Sequence, residues 1–185
     1  MRMARCALRL AKPNSLLARL VPARAFAALL LGAAVQGVLT PTAHAATTVS
    51  CTTTAGGIAF GIYSPLNAAP TTSTGALRVT CNGSGTGSTN VTVNVTFSTG
   101  LSGSFATRKM FSGSNALNYN IYWSTQYAQV MGDGTGGSFA GSAGPFTVFA
   151  GGSNFATGTM YGLIPAGQDV APGSYSDLIT VTVTY

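Results

Sequence analysis

The chain has 185 residues and a formal net charge of +6, but the positive charge is concentrated at the N-terminal end. Six of its nine lysines and arginines lie within the first 24 residues, and only Arg78, Arg108 and Lys109 follow. Residues 46–185 also contain three aspartates and no glutamate, so this part is formally neutral and gives no electrostatic reason to expect nucleic-acid or membrane binding.

The N-terminal segment has the three parts of a secretory signal. Basic residues precede the apolar run Ala25–Val35, and Pro41–Ala45 then offers a small-x-small cleavage site. The apolar run is shorter than the roughly 20 residues that a membrane-spanning helix needs, so we expect no stable membrane anchor. We expect cleavage between Ala45 and Ala46, and removal of 45 of the 185 residues leaves one domain of 140 residues.

The cysteines predict one disulfide. Cys6 lies in the predicted signal, which leaves Cys51 and Cys81 as an even pair in an exported domain. The alternative is two buried free thiols. A zinc site is not expected, because the only histidine, His44, also lies in the predicted signal.

Apolar and polar residues alternate in short runs along the remaining chain, which is typical of half-buried β-strands. Turn-forming sequences such as Asn82-Gly83 and Pro172-Gly173 separate the runs, and no stretch repeats apolar residues at helical spacing beyond a turn or two. The pattern predicts an all-β sandwich or barrel in a single domain. The clearest runs are Ile58–Tyr63, Leu77–Cys81, Asn90–Phe97, Leu117–Trp123 and Ile179–Tyr185, whereas Thr99–Ala116 and Asp133–Thr159 are less regular.

The last run places Ile179, Val181, Val183 and Tyr185 on one face of a strand and three threonines on the other. It continues to the final residue of the sequence, without the loose residues that usually follow a domain's last strand. Periodicity alone does not explain why the sequence ends with this strand.

No constellation of catalytic groups is visible after residue 45. This part has no histidine or glutamate, and its cysteines are expected to bond to each other. Asp133 in "MGDGTGG" indicates a tight turn rather than a phosphate or calcium loop, and Asp177 is expected to accept a hydrogen bond from a backbone N–H or a hydroxyl. We expect no enzymatic activity, no cofactor and no metal.

Two further groups have a structural and a functional interpretation. Arg108 and Lys109 are expected to lie on a solvated turn or edge strand rather than to bind a ligand. Four phenylalanines in a glycine-rich region are expected to be core residues of a meandering sheet, although exposure of the four would favour an adhesive surface. They are Phe139, Phe146, Phe149 and Phe155.

Three stretches carry a resemblance to a known family. They are Cys51 followed by "GIAFGIYSP", then "LNYNIYWSTQYAQVMGDGTGG", and finally "YGLIPAGQDVAPGSYSDLITVTVTY". In their joint order over about 130 residues they resemble the spore coat protein U domain family, the subunits of archaic chaperone–usher pili. Met131 stands where the family often has tryptophan.

The resemblance implies an immunoglobulin-like β-sandwich of pilin-subunit type that lacks its final strand. A periplasmic pilus chaperone would first fill the groove beside the last strand, and the N-terminal segment of a neighbouring pilin subunit would replace it at an outer-membrane usher. The groove would then be lined by residues of the last strand, and the chaperone would grip the C-terminal carboxylate. The lining residues are Ile179, Val181, Val183 and Tyr185.

The resemblance implies a structural subunit of a pilus or coat on a Gram-negative cell surface, supporting adhesion and biofilm formation. Only Ala46–Ser50 would precede Cys51 after cleavage at Ala45, which is too short for a donor strand. Either cleavage occurs earlier, for example after Ala34, or the protein donates no strand. The alternative function is therefore a terminal subunit or an adhesin that binds a surface or glycan through its loops.

Overall fold

The computed structural model describes residues 4–10 and 46–185. Helical structure in these residues is limited to one short 3-10 turn, Gly100–Ser102, and no helix among them is long and apolar enough to cross a membrane. Their strands are β1 (Ala4–Leu10), β2 (Thr48–Ala55), β3 (Ile58–Gly61), β4 (Thr71–Ser84), β5 (Ser88–Phe97), β6 (Arg108–Ser112), β7 (Asn115–Tyr122), β8 (Gly141–Phe149), β9 (Ser153–Ile164) and β10 (Ser176–Thr184).

The strands form two sheets that enclose a shared core, which confirms the predicted all-β sandwich. One sheet has the antiparallel order β2-β4-β9-β7. The other has the order β3-β1-β10-β5-β8, in which β1 is parallel to β10 and the remaining pairs are antiparallel. The hairpin of β6 and β7 joins the two sheets, because Phe111 of β6 pairs with Ser176 of β10 and residues 120–122 of β7 pair with β9.

Alternation along the strands places apolar side chains between the sheets. In β5, Val93 is fully buried and Val91, Val95 and Phe97 are nearly so, while Thr92 and Asn94 are exposed. Leu77, Val79 and Cys81 of β4 approach them from the opposite sheet within the same core cluster. The predicted runs therefore correspond to real strands, with the expected faces buried.

The first predicted run is shorter than expected. β3 ends at Gly61, whose φ of 74° lies in the left-handed region that glycine adopts readily. This turn of the backbone breaks the alternation, so Ile62 is exposed although Ile58 and Phe60 before it are buried. The alternation in the predicted run Ile58–Tyr63 would place Ile62 on the same face as Ile58 and Phe60, and this prediction is wrong for this reason.

Cys51 and Cys81 lie opposite each other on β2 and β4 and form the predicted disulfide. Replacing both by serine is expected to lower the free energy of unfolding by about 3 kcal/mol, because the bond closes a loop of about 30 residues. Denaturant unfolding of the Cys6→Ser chain, compared with the same chain lacking all three cysteines, measures the difference. Equal midpoints for the two proteins would contradict this prediction.

Arg108 contradicts the expectation of a solvated position, because its side chain is fully buried. β6 alternates so that Arg108 and Met110 point inward and Lys109 points outward, where it is exposed as expected. The guanidinium donates to the carbonyl oxygen of Ser98 and to that of Met131, at 2.8 and 2.6 Å. It also donates to Oδ1 of Asn120 at 2.7 Å, so protein oxygens replace its water shell.

Candidate functional site

The edge of β10 that faces away from β5 is occupied by an N-terminal segment of the same chain. Residues 5–10 of β1 pair in parallel with Ser176–Val181 of β10. The other edge of β1 pairs with Ile58–Gly61 of β3. We call the position between these edges of β3 and β10 the seam. Without β1, neither edge would have a strand partner in the part of the chain that the structure describes.

The walls of the seam are apolar on the side that faces the core. Ile58 and Phe60 of β3 are 1% and 6% exposed, and Ile179 and Val181 of β10 are 0% and 1% exposed. A strand in the seam therefore completes both the hydrogen bonding of the sheet and the cover of the core.

The four predicted groove residues do not share one environment. Ile179 and Val181 lie within the segment that pairs with β1, whereas Val183 is buried further along, where β10 pairs with β5. Tyr185 follows the end of the strand and is 47% exposed. The structure thus brings Ile179, Val181 and Val183 onto one buried face and leaves Tyr185 outside it. Their role in binding a second chain stays a prediction.

Asp177 fixes the beginning of β10 from the side of the core. Its carboxylate is 2% exposed and accepts hydrogen bonds from the backbone N–H groups of Leu101 and Leu178, each at 2.8 Å. The hydroxyl of Tyr119 on β7 donates to the same carboxylate at 2.7 Å. The interpretation of Asp177 as an acceptor for backbone and hydroxyl groups is confirmed. These bonds leave the opposite edge of β10 available for a strand.

Gln168 covers a different strand edge with its side chain. Its amide accepts from the N–H of Asn118 at 2.8 Å and donates to the carbonyl oxygen of Asn118 at 2.9 Å. The backbone N–H of Gln168 donates to the hydroxyl of Tyr63 at 2.7 Å, which holds the loop in place. A free edge of β7 is thus covered by one side chain, whereas the seam admits a whole strand.

Three of the four phenylalanines contradict the expectation of core positions. Phe139, Phe149 and Phe155 are 46%, 63% and 50% exposed, and Phe146 is half-buried against the core. Val148 is the fully buried residue at this end of β8, so its neighbour Phe149 points outward. The ring of Phe155 lies 3.8 Å below the guanidinium carbon of Arg78, a cation–π contact on the outer face of the other sheet.

Two titratable groups of the described residues have shifted pKa values. Asp133 is exposed in a turn, and hydrogen bonds from the hydroxyl and N–H of Thr135 hold the pKa of its carboxyl below the usual value. Burial raises the pKa of the Tyr122 hydroxyl, and the nearby Arg108 partly offsets this effect. Among the described residues, no three histidine, cysteine or acidic side chains are grouped to hold a metal ion.

Two predictions concern residues that lack a described environment. The cleavage site places Ala45 outside the described residues, while Ala46 is exposed at the start of the described domain. The apolar run Ala25–Val35 and His44 also lie outside the described part. The backbone of residues 4–10 is described. Its position in the seam could not be predicted from the sequence, because no pattern in this basic N-terminal segment indicates pairing with a strand some 170 residues away.

Comparison with known proteins identifies a family and structurally similar chains. The sequence model of the Spore Coat Protein U domain matches residues 38–182. No curated protein matches the sequence. The structure is similar to the crystal structure of the CsuC–CsuE chaperone–tip adhesion subunit pre-assembly complex from archaic chaperone–usher Csu pili of Acinetobacter baumannii, with 19% identity and a TM-score of 0.41. The likeness covers 75% of this chain, which spans 40% of the chain it matches.

Proposed function

The chain belongs to the Spore Coat Protein U domain family, and on this basis we propose that it is a structural subunit of a surface pilus or coat. The signal is removed during export through the periplasm, either after Ala34, which leaves a segment long enough to donate a strand, or between Ala45 and Ala46, which leaves a subunit that only accepts one. The remaining immunoglobulin-like sandwich is one strand short, and donor-strand exchange with neighbouring subunits builds a fibre or coat on the cell surface. In this role the protein supports adhesion and biofilm formation.

The seam is the single observation that carries this proposal. It is completed by residues 4–10, which lie outside the proposed mature domain. Neighbouring strands lie about 4.8 Å apart, so the gap between β3 and β10 is about 9.6 Å, the width of one inserted strand. Removal of residues 1–45 leaves Ile58–Gly61 and Ser176–Val181 without that partner.

An unfilled seam has a predictable physical consequence. Backbone N–H and C=O groups on both edges lose their strand partner, and apolar residues such as Ile179 and Val181 lose part of their cover. An extended segment from another chain restores both, with backbone hydrogen bonds for affinity and side-chain pockets for selectivity. The partners that supply it are a periplasmic pilus chaperone, then an adjacent subunit at the outer-membrane usher.

The proposed groove combines the buried residues Ile179, Val181 and Val183 with the exposed end of the sequence at Tyr185. Buried apolar side chains favour an inserted apolar strand. An exposed terminal carboxylate suits a charge-assisted contact with basic residues of the chaperone, because such contacts form readily where both groups can be reached.

A second function is favoured by the exposure of Phe139, Phe149 and Phe155. Exposed aromatic rings suit contact with an apolar surface or a sugar ring, as expected of a terminal adhesin. Such a subunit would also bind the chaperone, but it would not extend a fibre, because Ala46–Ser50 is too short to donate a strand. Fibre formation by the purified subunit therefore separates the two functions.

The test is production of the full-length gene in a Gram-negative periplasm, with and without the pilus chaperone of the same organism. We expect soluble subunit chiefly in the presence of the chaperone and in a one-to-one complex with it. A charged six-residue extension after Tyr185 should reduce the yield of this complex at least about tenfold, since the carboxylate would be displaced from its contact.

The matched control places the same six residues between Gly136 and Gly137, in an exposed turn outside the two strands that border the seam. This insertion should leave the yield of complex within about twofold of that of the unmodified chain. Recovery of an equally abundant free monomer without chaperone, together with no complex in its presence, would refute the proposed assembly.

A further inference from the structure

We propose that the protein binds a small, uncharged aromatic molecule of one ring in an apolar cavity between its two sheets. The cavity has a volume of about 100 Å³ and lies between β4 and β9 on one side and β5 and β8 on the other. None of its lining residues belongs to β3 or β10, the strands that border the seam. The site is therefore separate from the strand exchange proposed above.

Small residues on β8 and β9 create the cavity. Two strand pairs face each other across it, and in each pair one strand carries large apolar residues while the other carries glycine and alanine. The pairs are Val95–Gly141 and Val93–Ala143 in one sheet, and Leu77–Gly158 and Val79–Ala156 in the other. Among the described residues, β8 pairs only with β5, and β9 pairs with β7 only at residues 161–163. Both sheets thus end at small residues, and space remains where larger side chains would meet.

Glycine contacts define this space independently. A Cβ atom added to Gly158 would have no heavy atom within 4 Å apart from those of its chain neighbours, whereas one added to Gly141 would collide with the indole of Trp123. Nε1 of Trp123 donates to the carbonyl oxygen of Phe139 at 2.9 Å, and its ring packs edge to face against Phe97 with the centroids 5.7 Å apart. Trp123 is therefore a fixed aromatic wall, and the cavity is open at Gly158.

The lining favours an apolar guest over water. Leu77, Val79 and Val93 are at most 5% exposed. Every buried side-chain nitrogen and oxygen of the described residues already has a hydrogen-bond partner, so none of them needs a water molecule in the cavity. A buried water requires two to four polar partners, whereas an apolar cavity of about 150 Å³ stays dry and binds benzene. The volume here is of the same order, which suits one ring of that size.

The mouth of the cavity limits the substituents that such a ring can carry. Ser142 and Thr157 are the hydroxyl-bearing residues of the lining, and both are exposed. A hydroxyl group on the ligand can remain there in contact with water, while the ring packs against Trp123. No charged side chain lines the cavity. The ligand class is therefore an uncharged phenol or benzyl alcohol rather than an ionised aromatic acid.

The experiment follows the emission of Trp123, the only tryptophan of the chain, in refolded full-length protein titrated with benzyl alcohol. We expect a saturable change with a dissociation constant on the order of 1 mM, as suits a ligand of this size. Inositol, a ring covered with hydroxyl groups, should cause no change at the same concentrations. Gly158→Val places methyl groups in the cavity and should weaken binding at least about tenfold. Thr159→Val makes a similar change at the exposed neighbouring position and should alter binding less than about twofold.

Gly158→Val should also unfold at a denaturant concentration no lower than the unmodified chain, because it replaces a glycine within a strand and fills empty space. Ala156→Val fills the same cavity from the adjacent inward position and repeats the binding test if Gly158→Val does not fold. Equal binding by the cavity-filling and Thr159→Val variants, or no saturable change in the unmodified chain, would overturn the proposal. Emission that depends on protein concentration without benzyl alcohol would also overturn it, because a second copy would then occupy the cavity.

Discussion

Replacing Arg108 by methionine is expected to lower the free energy of unfolding by about 3–5 kcal/mol, the usual cost of removing one partner of a buried charged network. The guanidinium is fully buried and donates to the carbonyl oxygens of Ser98 and Met131 and to Oδ1 of Asn120. Methionine fills much of the same volume but donates no hydrogen bond, so it leaves these buried oxygens without their donor. Denaturant unfolding of the refolded full-length chain measures the loss.

Two comparisons assign this loss to the hydrogen bonds of the guanidinium. Arg108→Lys keeps the charge, but a single ammonium cannot reproduce the planar fork, so an intermediate loss is expected. Lys109→Met makes a similar change on the neighbouring exposed position and should alter the free energy of unfolding by less than about 0.5 kcal/mol. Equal effects of Arg108→Met and Lys109→Met would show that the Arg108 network does not stabilise the fold.

The alternation of apolar and polar residues was sufficient to predict the strands in which every second residue is a buried valine or isoleucine. β5 and β10 follow the expected faces because Val91, Val93, Val181 and Val183 are large enough to mark the core side without ambiguity. The pairing of Cys51 with Cys81 followed from composition, since no other cysteine remains after the leader. These features depend on local sequence and short-range geometry, which a single sequence contains.

The predictions were wrong where the polarity of a side chain suggested one face of a strand but the alternation along the strand placed it on the other. Arg108 was expected in solvent because arginine is rarely fully buried. It nevertheless lies on the same face of β6 as Met110, two residues later, and both side chains are fully buried. Phe149 was expected in the core because it is aromatic, yet it stands next to the buried Val148. In both strands, a nearby buried apolar residue, Met110 or Val148, shows which alternate positions face the core.

The seam could not be predicted in full because its parts are distant in sequence. The apolar face of β10 was recognisable, and the family resemblance implied a missing strand beside it. The identity of the opposite wall, β3, and the presence of residues 4–10 between the walls depend on tertiary pairing. No local pattern in the basic N-terminal residues indicates a strand, so only the three-dimensional structure reveals this contact.

Asp177→Ala is expected to lower the free energy of unfolding by about 3 kcal/mol and to reduce capture of donor strands by the seam. The carboxylate accepts from the N–H groups of Leu101 and Leu178 and from the hydroxyl of Tyr119, so alanine removes three charge-assisted hydrogen bonds from a buried site. Because Asp177 lies at the start of the β10 segment that pairs with β1, its loss should also loosen that edge. Unfolding experiments and hydrogen exchange of residues 176–181 measure the two effects.

Tyr119→Phe separates the contribution of one hydrogen bond from that of the whole carboxylate. It removes only the hydroxyl donor and should cost about 1–2 kcal/mol. The double variant with Asp177→Ala should cost less than the sum of the two single variants, since both changes remove the same bond. Asp169→Ala, on an exposed loop position, is the control and should change the free energy of unfolding by less than about 0.5 kcal/mol. Additive losses for Tyr119→Phe and Asp177→Ala would show that the hydroxyl and the carboxylate act independently, and unchanged exchange in residues 176–181 would show that Asp177 does not hold the seam edge.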